Sequence, residues 1–128
     1  MESERVVAVR RQIDAYNAGD FDAAFDGLHP DVEWVVAREH PASRTVRGLD
    51  ELAEYHGDWQ QTMPGLRIEI VEVEERGDSV LALCRLVGAG AGSGAEVGVT
   101  IGFVSRFSEG RVHRVEEYLD PAEARAAL

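Results

Sequence analysis

Two consecutive alternating runs near the end of the chain restrict the fold more than any other stretch. Val97 to Phe107 sets Val99, Ile101, Phe103 and Ser105 on one face of a strand, and Arg111 to Asp120 forms the second run after a Glu109-Gly110 turn. β-branched and aromatic residues on a period of two, broken by a glycine-containing turn dipeptide, spell a β-hairpin. The second run carries Glu116, Glu117 and Asp120 beside apolar neighbours. Strand parity puts Glu117 with Val115 and Leu119, and Glu116 with Tyr118 and Asp120. If Val115 faces a core, Glu117 faces it too.

Ahead of the hairpin, Val6, Val9, Ile13 and Tyr16 recur at spacings of three and four and mark an amphipathic helix that ends at Asn17-Ala18-Gly19. Asp20 caps a second, short helix built on Phe21, Ala24, Phe25 and Leu28. His29-Pro30-Asp31 breaks it, and Val32 to Val36 reads as a strand. Ala37 to Gly48 is a charged, turn-rich loop, either a lid or a plain surface connection. A third helix carries Leu49, Leu52, Tyr55, Trp59 and Met63 and stops at Pro64-Gly65. Strands follow over Leu66 to Glu74 and Ser79 to Val87, then a glycine-rich segment from Gly88 to Gly94. That segment leads into a strand and carries no lysine, so it reads as a hairpin loop and not a phosphate cradle. Pro121 to Leu128 is a short closing helix.

With 128 residues the chain makes a single domain spanning 1–128. Helices first and a strand meander afterwards give the α+β class: a cone-shaped α+β barrel, in which three N-terminal helices pack on the concave face of a curved antiparallel sheet. A balance of 24 acidic to 13 basic residues, net −11, disfavours nucleic-acid and anionic-membrane partners. Cys84 stands alone, which excludes an intrachain disulfide. His29, His40, His56 and His113 lack metal-ligand spacing, so no metal and no cofactor is expected. Neither a signal peptide nor a membrane span is legible, and the expectation is a cytoplasmic protein.

The stretch from Ala15-Tyr16-Asn17-Ala18-Gly19-Asp20-Phe21 to Leu28-His29-Pro30-Asp31-Val32-Glu33-Trp34 resembles the opening of nuclear transport factor 2-like proteins, most closely the SnoaL-like polyketide cyclase and ketosteroid isomerase branch. Arg47-Gly48, Gly77-Asp78 and Gly110 extend the resemblance over nearly the whole length. The superfamily hosts many unrelated activities on one fold. The ketosteroid isomerase's oxyanion-hole tyrosine falls on Gln12, its base near Val36 and its second oxyanion acid on Phe103, so those three roles are vacant. The limonene epoxide hydrolase pattern fails at Val87, two positions after Arg85. In SnoaL-like cyclases an aspartate late in the chain serves as acid and base, and the resemblance assigns that role to Asp120.

These readings make Asp120, Glu117 and Arg85 the candidate catalytic residues. Arg85 shares a strand face with Leu81, Leu83 and Val87, which the resemblance turns toward the cone, where it would pair with an acid or polarise a ligand oxygen. Tyr16, Trp34, Tyr55, Trp59, Met63 and Phe103 are expected to line the cone around a small apolar ligand. Two functions stay open: acid–base catalysis on a carbonyl or hydroxyl compound, or ligand binding or dimerisation without catalysis. A homodimer is expected because Thr100, Val104, Val80, Ala82 and Leu86 read as an apolar outer sheet face.

Overall fold

In the computed structural model, which describes residues 1–41, 43–89 and 96–128, a six-stranded curved and unclosed sheet carries helices on both faces. The elements are α1 (Glu4–Asn17), α2 (Phe21–Phe25), β1 (Leu28–Val35), β2 (Thr45–Arg47), α3 (Gly48–Thr62), β3 (Arg67–Arg76), β4 (Ser79–Ala89), β5 (Glu96–Ser108), β6 (Arg111–Tyr118) and α4 (Pro121–Ala127). The strand order is β2-β1-β6-β5-β4-β3. All pairings are antiparallel except β1 with β6, which run parallel.

The closing hairpin forms as its pattern requires. Glu109 and Gly110 both take positive φ, 52° and 79°, the backbone of a tight turn whose twist matches that of the flanking strands. Phe103 stands opposite Glu117 and Ser105 opposite Val115, so these four share the concave face. His29-Pro30-Asp31 lies inside β1 instead of preceding it, and the register with β6 shifts between Leu28 and Glu33. The missing proline N–H is tolerated at this irregularity. Most of the glycine-rich segment, 90–95, lies outside the described residues.

Helices α1, α2 and α3 bury their apolar stripes against the concave face together with Val80, Ala82, Cys84 and Leu86 of β4. Burial pushes the Cys84 thiol up to about 12, which removes it from thiolate chemistry at neutral pH. On the opposite, convex face Leu81, Val104 and Ala124 form a second cluster beneath α4. The orientation of β4 therefore corrects the sequence expectation. Val80, Ala82 and Leu86 point into the core, so of the five residues expected on the outer face only Val104, which α4 covers, and the exposed Thr100 lie there, on the face shared by Leu81, Leu83 and Val87.

The docking of α4 depends on one small residue. A Cβ placed on Gly102 would lie 2.7 Å from the Ala124 Cβ, closer than packed carbons approach. Gly102→Ala should therefore push α4 off the sheet and cost about 1–3 kcal/mol, the range for overpacking. Urea unfolding of this variant against wild type reads the loss.

Candidate functional site

Glu117 is the buried carboxylate of the concave face, only 5% exposed. It sits on β6 with its side chain turned inward by the parity that also buries Val115. Three donors converge on it. The Trp34 indole N–H of β1 donates to Oε2 at 2.6 Å, and the Ala37 backbone N–H donates to Oε1 at 3.2 Å. The Tyr55 hydroxyl of α3 lies 3.0 and 2.9 Å from Oε1 and Oε2. Burial raises the Glu117 pKa, against the lowering by its hydrogen bonds from Trp34, Ala37 and Tyr55. Burial also raises the Tyr55 pKa, and the adjacent Glu117 adds to that rise.

The neighbouring acid has the opposite environment. Glu116 faces the convex side, where Arg106 binds Oε1 at 2.8 Å and Arg114 binds Oε2 at 2.8 Å, while the Tyr118 hydroxyl donates to Oε1 at 3.0 Å. Burial works upward on Glu116, but these three partners outweigh it and hold its pKa at about 2. It is a fixed anion in a surface network that continues through Arg114 to Glu33 and on to Arg47. One residue of strand register thus separates a surface-paired carboxylate from a buried carboxyl with a raised pKa.

Glu117 opens onto a cavity of about 280 Å³ beneath the loop that follows β1. Tyr55, Trp59, Met63, Leu86 and Ile101 supply much of its wall, with His40, Arg44 and Asp58 as its other ionisable groups. The Arg44 guanidinium stands 5.7 Å from the centre of the Tyr55 ring, near enough for a cation–π contact. Deeper in the cone a second chamber of only about 30 Å³ is lined by Gln12, Tyr16, Trp34, His56, Phe103 and Ser105, among others. An aromatic partition divides the two: Trp34 and Trp59 meet the Phe103 ring at 5.9 and 6.3 Å between centroids, and Trp59 lines both spaces.

The aromatic residues marked from the sequence divide between these spaces. Tyr55, Trp59 and Met63 line the outer cavity, while Tyr16, Trp34 and Phe103 close the inner one. Arg85 does not reach either. It is exposed on the convex face opposite Glu69 and Thr100, with its guanidinium laid across Gly98, where a Cβ would meet Nη2 at 2.2 Å. The expected inward direction fails because both faces of β4 are covered, so hydrophobic neighbours did not mark the concave side. Asp120 also lies outside both chambers. It is exposed and caps α4, accepting from the Ala122 backbone N–H at 2.9 Å. Among the described residues no cluster of three or more potential metal ligands exists, and no helix is long and apolar enough to cross a membrane.

His56 is the site residue that the sequence reading passed over. It is 4% exposed, ringed by Tyr16, Phe25, Trp34, Tyr55 and Trp59 at centroid distances of 4.8 to 5.7 Å. Burial lowers its pKa to about 3, so the imidazole is neutral at physiological pH. The available signal was its helical phase, four residues after Leu52 and three before Trp59, on the face that turns inward.

The SnoaL-like domain model matches residues 9–115, most of the chain. The chain belongs to the SnoaL-like domain family. No curated protein sequence matches this SnoaL-like domain significantly. Among solved structures it is similar to an NTF2-like protein of unknown function from Burkholderia pseudomallei, at 23% identity, 95% coverage of each chain and a TM-score of 0.82. It is also similar to TerC, co-crystallised with polyporic acid, at 20% identity, 97% coverage of each chain and a TM-score of 0.81. A provisionally assigned SnoaL-like polyketide cyclase from Jannaschia sp. CCS1 matches at 22% identity, with 98% of this chain and 92% of that one covered and a TM-score of 0.80. At these identities the likeness establishes the NTF2-like fold that the SnoaL-like domain shares with them.

Proposed function

We propose that this SnoaL-like domain is an acid–base catalyst of isomerisation, cyclisation or hydrolysis on a small, largely apolar carbonyl or hydroxyl compound held in the outer cavity. The observation that carries the reading is Glu117: a carboxyl buried in the cavity wall, with its pKa raised by burial and its position fixed by Trp34, Ala37 and Tyr55. A general acid or base works best when its pKa approaches the working pH, and desolvation of a carboxyl moves it that way. The ligand's apolar body would lie against Trp59, Met63, Leu86 and Ile101, with its oxygen toward Glu117 and Tyr55. The polyporic acid co-crystallised with TerC and the cyclase assignment of the Jannaschia protein support a ligand of this class.

Proton abstraction beside a carbonyl offers a direct test that needs no natural substrate. 2-Tetralone, a compact bicyclic ketone, is the probe, and deuterium uptake at its α-carbon from D2O is followed by mass spectrometry. Wild-type protein should accelerate uptake above buffer, and Glu117→Gln should lower the enzymatic rate by about 10²–10⁴-fold, the contribution of a positioned acid–base group. Equal uptake with and without protein, across a panel of such ketones, would remove catalysis from the reading. The second reading, a binding domain that keeps the cone without the chemistry, draws on Trp34, Trp59 and Phe103, whose rings meet along the inner chamber. It predicts saturable quenching of Trp59 fluorescence by the ketone with no exchange.

A further inference from the structure

His56 Nδ1 is buried and has no hydrogen-bond partner among the protein atoms described. A buried polar nitrogen left unpaired costs about 1–3 kcal/mol, so such atoms in native proteins are ordinarily satisfied, by ordered water where protein cannot reach. The atom belongs to a residue that lines the inner chamber, and the chamber is not an apolar void. Tyr16, Ser105 and Gln12, whose side chains carry polar atoms, belong to the same lining. The Gln60 amide donates to the Tyr16 hydroxyl oxygen at 3.2 Å, which leaves the Tyr16 O–H proton free to donate elsewhere. The Tyr16 and His56 rings are 5.3 Å apart between centroids. The chamber holds about 30 Å³, where about 10–15 Å³ is enough for one water.

We infer that the inner chamber is a binding site for one hydroxyl-sized ligand, filled by a water molecule that bridges His56 Nδ1 and the Tyr16 hydroxyl. The neutral imidazole fits this role, because its Nδ1 lone pair accepts from the water while the water accepts from Tyr16. Aromatic rings, among them Phe25, Trp34 and Phe103, line the remaining sides. The site lies behind the partition from Glu117, so its occupancy is separable from catalysis in the outer cavity.

A crystal structure of the protein at a resolution that shows ordered solvent tests the site. The expected result is a single solvent peak within hydrogen-bond distance of both His56 Nδ1 and the Tyr16 hydroxyl. In solution, a water-to-protein nuclear Overhauser effect to the His56 ring protons should report the same long-lived molecule, and Tyr16→Phe should weaken it while leaving the fold intact. A void in the map with no such Overhauser effect overturns the inference. So does a His56 ring turned so that Nδ1 pairs with another protein atom.

Discussion

Glu117→Ala should lower the unfolding free energy by about 3–5 kcal/mol at neutral pH, close to the whole margin of a weakly stable domain. The acceptor for three buried donors disappears at once: the Trp34 indole N–H, the Ala37 N–H and the Tyr55 hydroxyl. Each orphaned donor costs about 1–3 kcal/mol, and water entering from the outer cavity recovers part of the sum. Glu117→Gln is milder, at about 1–2 kcal/mol, because a carboxamide keeps one acceptor oxygen and its shape. Its NH2 must still oppose either Ala37 N–H or Trp34 N–H, since each Glu117 oxygen already faces one of these donors, whereas the Tyr55 hydroxyl can reverse and accept. Urea denaturation of both variants checks the order, with Ala below Gln below wild type. If Glu117→Ala proves as stable as wild type, the three donors do not depend on the carboxylate.

Acid should destabilise the fold through His56. Its pKa is about 3 in the folded protein because of burial, against an ordinary value of 6.5. The unfolded chain therefore takes up a proton first as pH falls, and the folded state loses ground between these two values. Stability from this group is complete above pH 6.5 and is lost progressively toward pH 3. One pKa unit is worth about 1.4 kcal/mol, so the loss reaches on the order of 4 kcal/mol at the acid end and about 2 kcal/mol between pH 7 and pH 5. Glu117, with a raised pKa, works in the opposite sense: its contribution is present below the ordinary carboxylate value and declines as pH rises through the folded one. Comparing wild type with His56→Phe isolates the histidine, because Glu117 is common to both. The urea midpoint of wild type should fall relative to that of the variant from pH 7 to pH 5, and parallel shifts in both proteins would contradict this role of His56.

How far the sequence could go depends on whether each strand has one covered face or two. On β6 the alternation is clean, because the convex face carries Glu116 and Arg114 in an ion-pair network and the concave face carries Val115 and Glu117. Parity alone therefore brought Glu117 inward, and its partner across the hairpin, Phe103, followed from the same rule. On β4 the run Leu81-Ala82-Leu83-Cys84-Arg85-Leu86-Val87 is apolar on both sides, because α1 to α3 cover one face and α4 the other. Arg85 then has no apolar face to oppose it, and its outward direction shows only in the register with Thr100 and Glu69. His56 was invisible for a different reason. A histidine is read as polar in a helical pattern, and only its phase between Leu52 and Trp59 marks the inner face. The division of the cone into two chambers depends on rotamers of Trp34, Trp59 and Phe103, which no periodicity encodes. Asp120 was legible as a late-chain acid, and the structure places it at the start of α4, where it caps the helix.

The protonation of Glu117 itself bears most directly on the account, since every proposed step begins or ends on that carboxyl. Difference infrared spectroscopy of wild type against Glu117→Gln, titrated through the acid and neutral range, isolates its carboxyl stretch. A protonated-carboxyl band should persist above the ordinary glutamate range, with a midpoint raised from 4.5. A band that disappears at or below that value would show that the hydrogen bonds from Trp34, Ala37 and Tyr55 outweigh burial, leaving Glu117 a fixed structural anion like Glu116.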